Sequence, residues 1–418
     1  MKVKLDYGKK GLVIDLKGRK PVKLFAMKNS KPLSGPKKKI KKTLLNPLGK
    51  KPLSSLVKKT DRICIVISDN TRPVPNKIIL PEILKVLRAA GVPEKNIFIL
   101  IGNGTHSALN DKAIKELVGT GIAGKYRVFN HNCFNKKSQK YLGRAGRAEL
   151  WINKKYYEAD FKIVTGFIEP HFMAGFSGGR KGVCPGIAGY ETIKTFHSAK
   201  YLASRYAVSG NIKNNPCDKL AEAVSKKAGV DFLVNVTLNS EKKITGVFAG
   251  DWKKAHKKGM NFCLRHVRDT VKKPLDVIIT SAGGYPLDRN FYQTVKGIVG
   301  ASEVVKKGGE IIIVSGCSDG VGGKDFRELL EGLTSPLAFL KKIFGKNYFR
   351  AEQWQVQELV KGLLKAKVKL FTEGLCLEDK HLCKVNIVDD INREIALIPK
   401  GKTIGVIPNG PYILTKLR

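Results

Sequence analysis

Two short apolar runs with a helical repeat between them set the architecture of this chain. Arg62 to Ser68 reads RICIVIS and Asn96 to Ile101 reads NIFILI, while Leu80, Ile83, Leu84 and Leu87 recur between them at helical spacing until Gly91. A strand, a helix and a strand joined in this way cannot form a hairpin, because a connection of a dozen or more residues is the crossover that parallel strands require. The chain therefore starts from a parallel sheet, whose ligand crevice lies in the loops leaving the carboxyl ends of the strands.

The alternation continues with a strand at Phe161 to Thr165, a long Gly-rich loop to Pro185 and a helix around Glu191 to Ala203. Strands Phe232 to Leu238 and Ile244 to Phe248 and a helix to about Arg268 follow. After Thr270 to Pro274 a fresh strand, Leu275 to Thr280, restarts the pattern, which places a domain boundary there. The expected fold is α/β, with two doubly wound domains, mainly parallel sheets and an interdomain active-site cleft. Residues 1–270 form the N-terminal domain, 275–405 the C-terminal domain and 406–418 a tail. The first sixty residues, with Pro32, Pro36, Pro47 and the run Lys37 to Lys42, read as irregular or strand-and-loop surface.

Charge is the other unusual property: 77 Lys and Arg stand against 35 Asp and Glu, a formal +42 with the histidines neutral. Such a balance invites a nucleic-acid reading, yet no nucleic-acid-binding motif is present. No stretch approaches the roughly 18 uncharged apolar residues of a membrane span, and the charge-interleaved N-terminus lacks the apolar core of a signal peptide. The eight cysteines are scattered singly without a CxxC pair, as in a protein with reduced thiols, so a cytoplasmic location is expected.

Four strand-end loops carry the candidate chemistry. Ser68 to Pro73 (SDNTRP) offers Asp69, Thr71 and Arg72 to a phosphate or carboxylate, or is simply a polar turn. Gly102 to His106 (GNGTH) lacks the third glycine of a dinucleotide fingerprint, and leaves His106 either catalytic or structural. Gly166 to Gly186 supplies His171 and, beside a cation, Lys181, a pairing that lowers an amine pKa and favours a nucleophile. His197 follows on a helix as a possible metal ligand, but local sequence assembles no three- or four-ligand protein site. In the C-terminal half, Tyr292 and Lys296 share a helical face with Gln293 beside it; Lys296 is either a carboxylate anchor or a surface lysine.

These motifs resemble the nickel-pincer-nucleotide-dependent lactate racemases and related 2-hydroxy-acid racemases and epimerases. The resemblance runs from about Asn46 onward through SDNTRP, GTH, the PH…GFSGGRKGVCPGIAG…H block at 170 to 197, GGYPLDRNFYQTVKG at 283 to 297, CSDGVGG at 317 to 323 and QWQVQ at 353 to 357. It implies a racemase of a small 2-hydroxy acid, lactate by default, with an epimerase of a larger 2-hydroxy or sugar acid as the alternative. A non-enzymatic basic binder of nucleic acid or other anions is the reading from a different class.

By the resemblance, Lys181 holds the nickel-pincer nucleotide (pyridinium-3-thioamide-5-thiocarboxylate mononucleotide) through a thioamide, and His197 is the protein ligand to nickel. His106 and His171 are the paired acid/base groups while hydride passes between the substrate α carbon and the cofactor. Asp69, Thr71 and Arg72 meet the cofactor. Arg72, Tyr292, Gln293 and Lys296 bind substrate, and Trp354 walls the pocket. Cofactor-synthesis enzymes are implied as loading partners; neither a membrane nor nucleic acid is. Ser107 and Asn132 depart from the residues expected of the family, a basic residue and an aspartate, which bears on substrate identity more than on cofactor chemistry.

Overall fold

In the computed structural model, which describes residues 1–28, 30–345 and 348–418, the two founding runs become strands Ile63–Ser68 and Ile97–Gly102, paired in parallel with Ser68 opposite Gly102. All but the last residue of each is buried, so a strand covered on both faces reads as one apolar run. The crossover helix, Asn76–Ala89, buries Ile79, Leu80, Ile83, Leu84 and Leu87 on one stripe. This sheet has six strands in the order Ile244–Gly250, Phe232–Leu238, Phe161–Phe167, Ile63–Ser68, Ile97–Gly102, Arg127–Asn130. Only the Ile244–Gly250 edge runs antiparallel to its neighbour.

A second six-stranded sheet, ordered Asn386–Val388, Ala366–Phe371, Val305–Val314, Leu275–Ser281, Ile404–Ile407, Val22–Leu24, is parallel throughout. Its faces bury separate cores. One gathers Phe25, Ile278, Phe291, Val295, Val356 and Leu359, the other Leu5, Ile14, Ile279, Ile312, Ile391 and Ile395. Helices Phe291–Ser302 and Gln353–Lys365 contribute to the first core and helix Ile391–Ala396 to the second, the doubly wound arrangement expected.

The two compact units do not divide at one point in the chain. The unit on the second sheet takes Met1–Lys28, Ser198–Ala203 and His266–Arg418, and the segments between belong to the other, so the backbone passes between units four times. The expected break after Thr270 marks only the last passage. The N-terminal residues join the C-terminal unit because Val22–Leu24 completes its sheet edge and Leu5 and Ile14 of the hairpin Lys2–Leu5/Leu12–Asp15 fill its second core.

Three local expectations are corrected. The run Lys37 to Lys42 lies in a helix, Pro36–Leu45, that begins on proline and buries Ile40 and Leu44, four residues apart, while its lysines face solvent. Residues 406–418 are no tail: Ile404–Ile407 is a sheet strand, and Leu414–Leu417 pairs in parallel with Arg268–Val271. The helix expected from Glu191 to Ala203 breaks at His197 into Tyr190–Phe196 and Ala199–Leu202. No helix among the described residues is long and apolar enough to cross a membrane.

Candidate active site

Three adjacent strands of the first sheet deliver their loops to one edge. Asp69 follows Ile63–Ser68, His106 follows Ile97–Gly102, and Glu169 and His171 follow Phe161–Phe167. The register that sets Ser68 against Gly102 brings Asp69 and His106, 37 positions apart, into contact: Asp69 Oδ2 lies 2.6 Å from His106 Nδ1. The other carboxylate oxygen accepts from the Thr71 backbone N–H at 3.2 Å and its hydroxyl at 2.7 Å, a turn closed by the side chain. Burial pushes the Asp69 carboxyl up, but His106, Thr71 and Arg72 outweigh it and hold it well below the usual carboxylate range. An ionised Asp69 makes His106 Nδ1 the proton-bearing nitrogen and leaves Nε2 to exchange protons.

His171 is held the opposite way. It sits in a two-residue ladder, Pro170–His171 against Gly175–Phe176, and its Nδ1 accepts backbone N–H bonds from Met173 (3.3 Å) and Ala174 (3.2 Å). Both partners are obligate donors, so the neutral ring carries its proton on Nε2. The two histidines are thus oriented through opposite contacts at Nδ1, His106 against a carboxylate acceptor and His171 against two backbone donors.

Arg72 turns toward Glu169, with Nε 3.1 Å from Oε1, and the same oxygen accepts the Ser177 hydroxyl at 2.9 Å. Beyond Ser177 the chain turns sharply through Gly178 and Gly179, at φ +74° and +53°. A Cβ on Gly179 would stand 2.3 Å from His256 Nδ1, so only glycine fits. Asn235 Oδ1 accepts the Gly179 N–H at 2.7 Å, and His256 Nε2 lies 3.0 Å from the Ser177 carbonyl. Arg180 is buried in a two-point ion pair with Asp218, Nε to Oδ1 and Nη2 to Oδ2 both 2.6 Å. Asp218→Ala would strand that guanidinium, with an expected loss of about 3–5 kcal/mol of stability. Urea unfolding checks this, and a change below about 1 kcal/mol would contradict it.

With Arg180 so engaged, the cation that acts on Lys181 is Arg72. Burial, first, and the Arg72 charge, second, lower the Lys181 amine to about 8 against the pull of Glu169 and Asp69. His197 ends helix Tyr190–Phe196, its N–H donating to the Ile193 carbonyl at 2.9 Å. Burial and the neighbouring Lys181 charge drop its pKa to about 3, so the imidazole is neutral at pH 7. Among the described residues no group of three or more His, Cys, Asp and Glu could hold a metal ion. A metal on His197 would have to draw its other ligands from beyond these side chains, from water or a bound organic group. A neutral imidazole beside a nucleophilic amine suits such a group.

In the other unit, helix Phe291–Ser302 starts on Asn290, whose side chain accepts the Gln293 N–H at 3.1 Å. Tyr292, Gln293 and Lys296 are all buried, which removes the surface-lysine alternative. Lys296 Nζ donates to Gln293 Oε1. Trp354 Nε1 donates to the Tyr292 hydroxyl at 2.8 Å, and Gln355 Nε2 to the Tyr292 carbonyl at 2.5 Å. Sequence reasoning did not assign Glu169, Asp218, Asn235, His256 or Gln355. Most of their partners lie far away in the chain, and only Glu169, inside the Gly-rich block, and Gln355, inside QWQVQ, lay in a motif.

Comparison with known proteins identifies the family. Residues 7–210 match the family model of the lactate racemase N-terminal domain, and 270–415 that of the lactate racemase C-terminal domain. The chain is 34% identical to a lactate racemase of Thermoanaerobacterium thermosaccharolyticum over 99% of both chains, and 35% identical to one of Lactiplantibacillus plantarum over 90% of both. The lactate racemase apoprotein structure from T. thermosaccharolyticum superposes with a TM-score of 0.89 at 33% identity, covering all of both chains. A Thermotoga maritima protein shares the fold at 0.72 and 19% identity, over 94% of this chain and all of the other. With identity sustained over the full length and both domain models matched, the chain belongs to the lactate racemase family.

Proposed function

We propose that the protein racemises a small 2-hydroxy acid, lactate first, with a nickel-pincer nucleotide linked to Lys181 and with His197 as the protein ligand to nickel. The observation that carries this reading is the pairing of a Lys181 amine at about 8 with a neutral, buried His197, where no cluster of ligand side chains among the described residues could hold a metal alone. When bound, the group supplies the hydride acceptor and donor. The loop from Asp69 through Thr71 to Arg72 would meet its phosphate end, with Arg72 supplying the positive charge. Arg72, Tyr292, Gln293 and Lys296 would fix the substrate carboxylate and hydroxyl.

The chain's own part in turnover is proton handling. His106, with Asp69 on Nδ1, takes the hydroxyl proton of one enantiomer at Nε2. Once the α carbon is flat, His171 returns a proton from its Nε2 to an oxygen of the opposite orientation. The reverse reaction exchanges the two roles. Loading falls to cofactor-synthesis enzymes, and eight free thiols accord with a cytoplasmic setting.

Protein made beside those enzymes is expected to carry nickel and a mass addition on Lys181 and to interconvert D- and L-lactate. A panel including larger 2-hydroxy and sugar acids separates the epimerase alternative. Protein bearing both nickel and the addition, yet inert toward every acid in the panel, would refute the reaction assignment.

A further inference from the structure

We infer that the C-terminal unit binds a small anion bearing two or more phosphate groups at the amino-terminal edge of its sheet, a site separate from Tyr292, Gln293 and Lys296. A cavity of about 390 Å³ opens there, lined by five lysines (306, 307, 367, 369, 402) and three carboxylates (Asp276, Glu310, Glu394). Asp276, Lys306 and Lys367 are each the second residue of one of three adjacent parallel strands, Leu275–Ser281, Val305–Val314 and Ala366–Phe371. Tyr292 and Lys296 follow the carboxyl end of the first of these, so the cavity occupies the opposite end of the same sheet. The end of helix Ile391–Ala396 and the residues after it, Leu397 to Pro399, line one side of the cavity.

The carboxylates do not neutralise the lysines evenly. Glu310, at 2.9 Å, and Glu394 both pair with Lys369. Asp276 takes the Thr403 N–H (2.9 Å) and hydroxyl (2.6 Å) and Lys306 (2.8 Å), with Lys402 at 3.9 Å. Among the described residues no ion pair engages Lys307 or Lys367, both exposed at the cavity. Two ammonium groups at one cavity without an ion-pair partner, with Lys402 only weakly paired, leave positive charge there for an anion. Lysine heads are point charges that suit a multiply charged phosphate more than the planar fork of a carboxylate. The recess has the size of a small-ligand pocket and no aromatic lining, which argues against a single-stranded nucleic-acid track.

Titration calorimetry of the full chain with tripolyphosphate, in about 150 mM salt to screen exposed charge, tests this. Lys307→Gln/Lys367→Gln is expected to weaken uptake about tenfold or more, and Lys38→Gln/Lys41→Gln, an equal charge loss on helix Pro36–Leu45, less than about twofold. Both variants leave Arg72 and Lys181 intact, so uptake there is common to them. Equal weakening in both, or no saturable uptake at the lysine cavity, would overturn the inference. Without any substitution, tripolyphosphate should slow acetylation of Lys307 and Lys367 and spare Lys38 and Lys41; uniform protection would count against the site. Adenosine triphosphate in parallel separates the sources: tighter binding assigns the rim of Leu397 and Pro399 to an organic moiety, equal binding to phosphate alone.

Discussion

His106→Ala and His171→Ala are each expected to lower racemisation by about 10²–10⁴-fold while nickel content and the Lys181 addition stay at wild-type levels. The two enantiomers present their hydroxyls on opposite sides, so under the proposed function each turnover would deprotonate at one histidine and reprotonate at the other, and losing either would block both directions. Because enantiomers are equal in free energy, kcat/KM must fall by the same factor from D- and from L-substrate. The resting geometry supplies the asymmetry this scheme needs. Asp69 keeps the His106 proton on Nδ1, and the Met173 and Ala174 N–H groups keep the His171 proton on Nε2. In the proposed scheme these contacts orient the two rings for opposite roles. Either variant retaining more than about a tenth of wild-type turnover would remove that histidine from proton transfer.

His197→Ala is expected to reduce bound nickel by at least about tenfold and to abolish turnover, while the organic addition on Lys181 persists. No cluster of ligand side chains among the described residues stands by to replace the lost imidazole. The ring is neutral well below pH 7, since burial and the Lys181 charge lower its pKa from 6.5 to about 3, so metal binding at neutral pH displaces no proton from it. For the same reason the unfolded chain binds this proton first as pH falls, and the stability of the fold drops between about 6.5 and 3. Equal nickel in His197→Ala and His106→Ala, measured on the same preparation, would overturn the assignment.

The first sheet was legible because doubly covered strands leave unbroken apolar runs, as in Ile63–Ser68 and Ile97–Gly102. Helix Pro36–Leu45 was not, because only Ile40 and Leu44 mark its buried side amid lysines that any exposed loop could carry. Likewise strand Gln139–Ala145, whose positions are mostly exposed or half-buried, shows no clean alternation to announce its hairpin with Ala148–Asn153. At the site, residue types within a single loop were readable, and Lys181 was rightly expected to be acidified. The source of the effect was not, since burial and Arg72, 109 positions away, act where the adjacent Arg180 does not. Register between strands, which pairs Asp69 with His106 and Arg72 with Glu169, is a tertiary property with no local signature.

The four passages of the backbone between units also bear on how this protein can be dissected. A fragment cut at 270 would carry the first 28 residues without the sheet they complete, exposing Leu5, Ile14 and Phe25 to solvent, and would strand Ser198–Ala203 away from Gln357 and Lys361, whose side chains bond the Ala199 and Leu202 carbonyls. The complementary fragment would have an unfilled core and a missing edge strand. Limited proteolysis, co-expression of halves and domain-shuffling between relatives therefore meet a chain that is woven. Its genetic halves and its folding halves are different objects.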